Sequence, residues 1–420
     1  MPRVMLVLPT ATYRAAAFLG AVDALGVDCV IASDEAPTLA GLMAGRVLAL
    51  DLGRPDAAAA AALAFAQQWP IDAVVGVDEA SVVSAAHIAA ALGVVHSPVA
   101  AVAATRDKRR LRALLDAGGV PQPAWVEVRG DPAGTAASSA ASAVGLPAVV
   151  KPVDLAGSRG VIRADSVAEL AAAISRVDSL LRRPHLAGPH QDPPLLVERF
   201  TDGAEIAVEG LLRQGALTVI AVFDKPDPLD GPFFTETLYV TPSRHHPEAV
   251  ARAIDVTAAA VAAIGLAEGP IHAELRLAPG GPVLIEVAAR SIGGRCSSAL
   301  RIRDGDSEMT LEELILRHAC SMPLGRPQLA PGGAGVLMLA VPESGVLRGV
   351  SGAAEAAALP GVTGVELTIP VGQTVEALPE GDRYLGFVVA RGEDVAAVES
   401  TLRRAWTIID AKIEPGYGRG

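Results

Sequence analysis

The sequence has little cysteine and few aromatic side chains: three cysteines and 3% aromatic residues in a chain of 420. Three cysteines cannot form a disulfide framework, so we expect a reducing compartment, the cytoplasm. No apolar run reaches the ~18 residues of a membrane span, and the first residues lack the basic and apolar regions of a signal peptide. The formal net charge of −12 argues against a nucleic acid or a membrane surface as the partner.

Two glycine-rich phosphate-binding patterns are also absent. The turn at residues 9–14 has no glycine to let a pyrophosphate approach the backbone, and the loop after Lys151 lacks the Gly-Lys-Ser/Thr ending of a P-loop. Apolar runs nevertheless alternate with alanine-rich stretches in residues 1–96, which predicts a parallel, doubly wound α/β platform. The predicted strands are 3–8, 27–32, 46–50 and 71–77, and the predicted helices are 13–25, 57–68 and 80–92.

A hairpin predicted between Pro270 and Cys296 concentrates charged side chains. Because side chains alternate along a strand, His272, Glu274 and Arg276 share one face of its first strand.

The second strand of this hairpin is expected to place Leu284, Glu286, Ala288 and Arg290 on a common face. Glu286 lies opposite Glu274 if the turn has three or five residues, whereas a two-residue turn puts the two carboxylates on opposite faces. Opposed carboxylates repel each other, and an intervening divalent cation such as Mg²⁺ would relieve that repulsion. A solvated hairpin face with two unrelated acids is the equal alternative.

A second candidate region begins where a predicted strand ends with Lys151. The small-residue loop that follows has Gly157 and Gly160 around Ser158, so its backbone N–H groups can approach phosphate oxygens. Lys151 and Arg159 would add positive charge. Many tight turns have this composition, so the loop alone does not identify a phosphate site.

Seven short motifs, taken in order across about residues 105–300, resemble those of the ATP-grasp ligases. Within that family the chain most resembles the carboxylate–amine ligases that join amino acids into dipeptides, and it is more distantly similar to D-alanine–D-alanine ligase and biotin carboxylase. The motifs are Lys108, VVKP with Lys151, Gly-Ser-Arg-Gly at 157–160, LLVERF with Glu198, Gly-Ala-Glu with Glu205, HAE with Glu274, and IEVAAR with Glu286 and Arg290.

The resemblance implies a role for each matching residue. Glu198 and the backbone as far as Thr201 would read the adenine, and Glu205 would bind the ribose. Glu274 and Glu286 would hold Mg²⁺. The implied ATP-binding residues are Lys108, Lys151, Ser158, Arg159, Gly160, Glu198, Phe200, Thr201, Glu205 and Ile285.

Catalysis is implied for Arg290, which would hold the γ-phosphate, and for Lys151. Ala288 stands where many family members carry an asparagine, so one metal ligand is missing and the number of Mg²⁺ ions stays open. The candidate substrate contacts are His272, Glu236, Gly293 and Gly294. A structural hydrogen bond for His272 and a simple turn at the two glycines are the alternatives.

The implied activity is ATP-dependent formation of an amide from a carboxylate and an amine, through an acyl phosphate, with release of ADP and phosphate. The substrates would be amino acids or a specialised metabolite. Two alternatives remain: an ATP-dependent carboxylase that acts through carboxyphosphate, and a non-catalytic ATP-binding module. Cys296 is interpreted as a buried small residue rather than a nucleophile, because no base is evident beside it.

The predicted fold is α/β, an ATP-grasp fold between two flanking units. The C-terminal unit is expected to pack on the central domain, to close one side of the substrate pocket or to mediate a homodimer. The predicted domains are an N-terminal α/β preATP-grasp domain at 1–96, a linker helix at 97–120, a small lid subdomain at 121–195, a central subdomain with the hairpin at 196–326, and an α+β domain at 327–420.

Overall fold

The N-terminal unit contains a parallel sheet of four strands. The computed structural model describes residues 1–35, 46–130, 135–184, 186 and 193–415. The first elements are β1 (Arg3–Val7), α1 (Ala15–Leu25), β2 (Asp28–Ser33), β3 (Val47–Ala49), α2 (Pro55–Ala66), β4 (Ala73–Gly76) and α3 (Val82–Leu92). The strand order is β3-β2-β1-β4 and each pairing is parallel, which confirms the predicted parallel sheet.

A smaller antiparallel sheet, called the small sheet from here on, comes next, with strand order β5-β8-β6-β7. Its segment comprises α4 (Val99–Thr105), α5 (Lys108–Ala117), β5 (Trp125–Val128), α6 (Thr135–Val144), β6 (Ala148–Pro152), β7 (Ile162–Ala164), α7 (Val167–Leu181) and β8 (Leu195–Arg199). The Asp107 carboxylate caps α5 by accepting the N–H groups of Arg109 and Arg110. This cap fixes the first turn of α5, which carries Lys108.

The largest sheet has eight strands and runs across the predicted domain limit at residue 326. Its first part is built by β9 (Ala204–Arg213), β10 (Ala216–Lys225), β11 (Leu238–Thr241), α8 (Pro247–Ile264), β12 (Gly269–Ala278) and β13 (Gly281–Ala288). The next elements are α9 (Cys296–Ala299), β14 (Ile302–Asp304), β15 (Ser307–Met309), α10 (Leu311–Ala319), β16 (Gln328–Leu329) and β17 (Gly333–Leu339).

The last elements complete the large sheet and add a separate three-stranded sheet. They are β18 (Gly345–Ser351), α11 (Ala353–Ala357), β19 (Val362–Leu367), β20 (Thr374–Val375), β21 (Gly386–Gly392), α12 (Val395–Ile408) and β22 (Asp410–Glu414). The order of the large sheet is β13-β12-β9-β10-β11-β17-β21-β19, and that of the separate sheet is β20-β18-β22. Because β17 pairs with β11, C-terminal strands continue the sheet that carries the hairpin.

The β12–β13 hairpin differs from its predicted form in one respect. Its turn contains two residues, Pro279 and Gly280, because Ala278 pairs with Gly281, so the prediction of three or five residues is wrong. A β-bulge between Glu274 and Leu275 of β12 shifts the register, and the extra residue on β13 is Ile285.

The bulge brings Glu274 opposite Glu286, so the predicted opposition is confirmed by a different route. It also corrects the predicted common face of β13. Leu284 lies in the core beside Leu275, whereas Ile285 and Glu286 both face a cavity.

Valine, leucine and alanine fill the cores, as the scarcity of aromatic residues requires. The clusters beneath the small sheet and around α8 consist almost wholly of these residue types with isoleucine. In the part of the chain that the structure describes, no helix is both long and apolar enough to cross a membrane.

Candidate functional site

A cavity of about 300 Å³ collects side chains from the small sheet, the large sheet, the N-terminal unit and the C-terminal strands. Lys151 of β6, Glu198 of β8 and Glu205 of β9 line it, together with the hairpin. All the residues predicted to bind ATP, metal or substrate border this cavity except Arg159 and Gly160. The fold therefore brings together predicted site residues that are up to 186 positions apart in the sequence, from Lys108 to Gly294.

Glu198 is buried and has a cation on each carboxylate oxygen. Arg112 donates to Oε1 at 2.7 Å, and the Lys151 ammonium lies 2.7 Å from Oε2. Burial raises the pKa of Glu198, but Arg112 and Lys151 outweigh it and lower this pKa to about 2. Each carboxylate oxygen of Glu198 thus has its own cation partner.

Arg112 was not predicted, and it also supports the bulge in the hairpin. Its guanidinium donates to the carbonyl oxygen of Ile285 at 2.7 Å. One buried arginine therefore connects the floor of the cavity with the strand that carries Glu286.

Lys108 connects α5 to both predicted regions. Its ammonium donates to the carbonyl oxygen of Leu155 at 2.7 Å and lies 3.3 Å from the Glu286 carboxylate. Lys108 therefore lies between the loop that follows Lys151 and the hairpin. A phosphate chain that touched both regions would pass beside its ammonium group.

Lys225, at the end of β10, is the centre of a buried charge cluster that sequence analysis missed. Its ammonium lies 2.6 Å from Glu205, 2.8 Å from Glu274 and 3.2 Å from Glu236. Burial alone would lower the pKa of Lys225, but Glu205 and Glu274 hold it well above its ordinary value. The chain has only four lysines, and that scarcity was the available signal, since Lys108 and Lys151 line the cavity and Lys225 pairs with three acids that line it.

The opposed carboxylates Glu274 and Glu286 both face the cavity. Glu274 is 17% exposed and tied to Lys225, whereas Glu286 is 32% exposed and its nearest cation is Lys108. The cations relieve part of the repulsion between the two acids, and they leave oxygen atoms directed toward the open part of the cavity.

Arg290 is held by an acid from the N-terminal unit. Its guanidinium donates to Glu79, and Arg106 donates to the other oxygen of Glu79 at 2.7 Å. Burial raises the pKa of Glu79, but Arg290 and Arg106 bring this pKa down to about 2. No local pattern predicts this pair, because Glu79 lies 211 residues before Arg290 in a turn without a motif.

The far end of the cavity is aromatic. Glu236 accepts hydrogen bonds from Tyr239 at 2.6 Å and Tyr384 at 3.3 Å, and Phe387 packs 5.7 Å from the Tyr384 ring. Tyr13 also lines this end, so three of the four tyrosines of a chain poor in aromatics meet there.

His272 lies between two carboxylates, 3.3 Å from Glu209 and 3.3 Å from Glu274. Burial lowers the pKa of His272, but the two acids raise it to about 9. The imidazole is therefore protonated at neutral pH. It has a structural partner and also borders the cavity, so both interpretations from the sequence remain compatible with its position.

The two glycines after Arg290 form a tight wall of the cavity. The N–H of Gly294 donates to the Tyr13 hydroxyl at 2.7 Å, and a Cβ atom at Gly294 would collide with the side chain of Met338. Cys296 is fully buried, and burial raises the pKa of its thiol well above the ordinary value. This agrees with a packing role for Cys296.

The glycine loop, defined here as residues 156–160, presents only part of itself to the cavity. Ala156, Gly157 and Ser158 line it, and Ser158 has a φ of 57°, which is uncommon for a residue with a side chain. Arg159 and Gly160 turn away, contrary to their predicted contact with ATP. Arg159 pairs with Asp382, and the N–H of Gly160 donates to a C-terminal carbonyl group.

Two family models match the chain. An ATP-grasp domain matches residues 144–299, and L-amino acid ligase C-terminal domain 2 matches residues 337–414. The first contains the glycine loop, Glu198 and the hairpin, and the second contains the C-terminal strands of the large sheet.

Three individual proteins illustrate the similarity. An uncharacterized protein, y4rH, of Sinorhizobium fredii is 29% identical over 310 residues, which are 74% of this chain and 61% of that protein. Alanine–anticapsin ligase of Bacillus subtilis is 26% identical over 244 residues, 54% of this chain and 50% of the ligase. The chain thus spans about half to three fifths of these relatives. The crystal structure of an L-amino acid ligase from Bacillus licheniformis superposes with a TM-score of 0.82 at 25% identity and covers 99% of both chains.

Proposed function

Because the chain belongs to the ATP-grasp superfamily, we propose that it is an ATP-dependent carboxylate–amine ligase that forms an amide or peptide bond. The observation that carries the proposal is the opposition of Glu274 and Glu286 in one cavity with Lys108, Lys151 and Arg290. This arrangement matches the needs of phosphoryl transfer, which relies on positioning and on neutralised charge.

The nucleotide would occupy the half of the cavity between the two sheets. Ile285 and Phe200 offer apolar contact to the adenine, and the backbone from Glu198 to Thr201 offers its polar edge a partner. Lys108 and Lys151 would meet the phosphates. Ser158 and its glycine neighbours would cover them with backbone N–H groups.

The donor set fits Mg²⁺ that arrives with ATP. Mg²⁺ is commonly held by one or two carboxylates together with substrate phosphates and water, and Glu274 and Glu286 supply such a pair. Over the described ranges no cluster of three or more metal-ligating side chains occurs, so the side chains alone do not enclose a metal. When bound, Mg²⁺ would supply positive charge to the phosphate oxygens.

The reaction couples two displacements. A substrate carboxylate oxygen attacks the γ-phosphorus of ATP, the bond to the β-phosphate oxygen breaks, and ADP leaves. The amine then attacks the acyl carbon and phosphate leaves, with one proton released. Arg290 would stabilise the transferred phosphoryl group, and its salt bridge to Glu79 sets its position.

The substrates would occupy the aromatic end. Glu236, His272 and the Gly293–Gly294 wall border it, and the ligases among the relatives support amino acids as the substrate class. The same proposal places the reaction in the cytoplasm, which agrees with three free cysteines. It also leaves a homodimer as an assembly to be measured by light scattering.

Release of ADP and phosphate with pools of paired amino acids and carboxylic acids tests the proposal. Release that requires a pair but not bicarbonate, with a product mass equal to the pair minus water, would support amide formation. Bicarbonate-dependent release without such a product would instead identify a carboxylase. ATP binding in calorimetry without ADP formation in any pool would leave only a binding module.

A further inference from the structure

The outer side of the glycine loop is attached to a segment of the C-terminal unit. This segment, residues 376–382 between β20 and β21, is called the acidic strap because it contains Glu376, Glu380 and Asp382. Arg159 donates to the carbonyl oxygen of Glu380 at 2.8 Å and to Asp382 at 2.9 Å.

A backbone hydrogen bond reinforces the attachment. The N–H of Gly160 donates to the carbonyl oxygen of Pro379 at 2.8 Å. The loop is therefore held from outside by the strap, while its other side faces the cavity.

The helix behind the loop contacts the same strap. Arg176 of α7 makes a two-pronged ion pair with Glu380, at 2.7 and 2.9 Å. Arg183, just after α7, donates to both oxygens of Glu376 at 2.9 and 3.0 Å. Three arginines on the small sheet and its helix thus match three acids on the strap.

The strap packs only in part on its own domain. A cavity of about 230 Å³ lies against it, lined by Val341, Ile369 and Thr374 together with strap residues, while Ala377 packs against the C-terminal core and its N–H donates to Ser344 at 3.0 Å. The polar contacts with the small sheet therefore add to those that hold the strap on its own domain.

We propose that Glu376, Glu380 and Asp382 are positioning residues that hold the glycine loop over the nucleotide, so that the strap acts as the latch of this lid. The proposal rests on the nucleotide site proposed above. These contacts exist only when the small sheet is docked on the C-terminal unit, so they raise the fraction of molecules in the closed form. Apparent nucleotide affinity scales with that fraction.

A charge exchange tests the latch without touching the cavity. Arg176→Glu and Glu380→Arg each place like charges opposite one another, and the double variant restores an opposite pair. We expect each single variant to weaken ATP binding about tenfold, since one pair lost and one repulsion gained correspond to about 1.4 kcal/mol. The double variant is expected to recover most of the affinity in calorimetry.

Hydrogen exchange of the Gly160 amide gives a readout that does not need ATP. This amide should exchange faster in each single variant and slowly again in the double variant. Arg182→Glu is the matched control, because Arg182 is about as exposed as Arg176 but pairs with Asp178 of α7. The control should leave both the exchange rate and ATP affinity near those of the unaltered protein.

Equal exchange in all variants, or a double variant no better than the singles, would overturn the latch. If a single variant fails to fold, the second pair, Arg183→Glu and Glu376→Arg, is subject to the same criterion. If the unaltered protein binds no ATP while the exchange pattern follows the charges, the nucleotide site is refuted and the latch stands. If ATP binds and turns over while exchange ignores the charges, only the latch fails.

Discussion

The β12–β13 hairpin and the glycine loop border the same cavity but are fixed by different means. Lys225, which ties Glu274 of the hairpin, is 4% exposed, and Glu205 beside it is 9% exposed. The pairs behind the loop are partly exposed: Arg176 is 48% exposed opposite Glu380 at 22%, and Asp382 is 53% exposed opposite Arg159 at 8%. Buried pairs are screened little by salt, whereas exposed pairs are screened strongly.

This difference separates two tasks within one site. The hairpin carries carboxylates whose position sets the charge balance, and a buried network holds them rigidly at the cost of bringing several charges out of water. In the proposed function the loop admits and releases the nucleotide, and weak, partly exposed pairs would allow it to open. Variants that remove one of these supports should therefore give distinct results.

The largest effect is expected at the centre of the buried network. Lys225→Met removes a cation from Glu205, Glu236 and Glu274, of which Glu205 keeps Arg276 and Glu274 keeps His272. It should lower the free energy of unfolding by about 3 kcal/mol, because buried charges lose one of their partners. Denaturant unfolding measures this loss. Lys412→Met, at an exposed position, is the control, and equal stability of the two variants would contradict the network.

The opposed carboxylates are expected to matter for turnover more than for folding. Glu286→Gln should reduce turnover about a hundredfold or more, since it removes charge where phosphate charge is neutralised, while it also relieves repulsion with Glu274. The melting temperature should change little. Glu308→Gln, on an exposed strand, is the control, and full turnover in Glu286→Gln would eliminate the metal site.

A smaller effect is expected where the loop begins. Lys151→Ala should weaken ATP binding roughly tenfold to a hundredfold, the equivalent of one charge-assisted contact of about 1.5–3 kcal/mol. Calorimetry with the folded variant measures it. Loss of Lys151 also leaves Glu198 with Arg112 as its only cation, so the melting temperature of the variant must be measured as well. Unchanged affinity would remove Lys151 from the nucleotide site.

Lowering the pH should show how much the two arginine-paired carboxylates outside the hairpin, Glu79 and Glu198, contribute to stability. Neighbouring cations outweigh burial and lower the pKa values of Glu79 and Glu198 to about 2, from the ordinary glutamate value of 4.5. Their contribution to stability is therefore complete above pH about 4.5 and is lost as the pH falls toward 2. Glu79→Gln should reduce the slope of the free energy of unfolding against pH in this range by up to about 1.4 kcal/mol per pH unit. Denaturant unfolding at each pH measures that slope. An identical slope in the variant would mean that Glu79 is not held by Arg290.

Local sequence patterns predicted the elements well where one face of an element carries the signal. The apolar run at 3–8 became β1 (Arg3–Val7), and the stretch at 80–92 became α3 (Val82–Leu92). Most motif residues also converged on one cavity, although they hold different places in their elements: Lys108 begins α5, Glu205 is near the start of β9 and Glu274 is in the middle of β12.

Sequence patterns could not predict contacts between distant residues that belong to no motif. Arg112 meets Glu198 across 86 residues and Glu79 meets Arg290 across 211, and no local pattern marks such pairs. The pairing of Arg159 was missed for a related reason: its partner Asp382 is 223 residues away, and sequence analysis considered only a phosphate as the partner of this loop arginine. The proposed limits of the domains stay a prediction.

The bulge at Ile285 has a consequence for how the hairpin can change in evolution. A regular strand cannot turn two neighbouring side chains to the same face, yet here an apolar wall and a charged group are adjacent in the chain. Deleting Ile285 would keep Glu286 opposite Glu274, since the two-residue turn then runs in register. Loss of one residue would thus spare the carboxylate pair and remove the apolar contact proposed for the adenine, so nucleotide fit and the carboxylate pair can change independently by a single insertion or deletion.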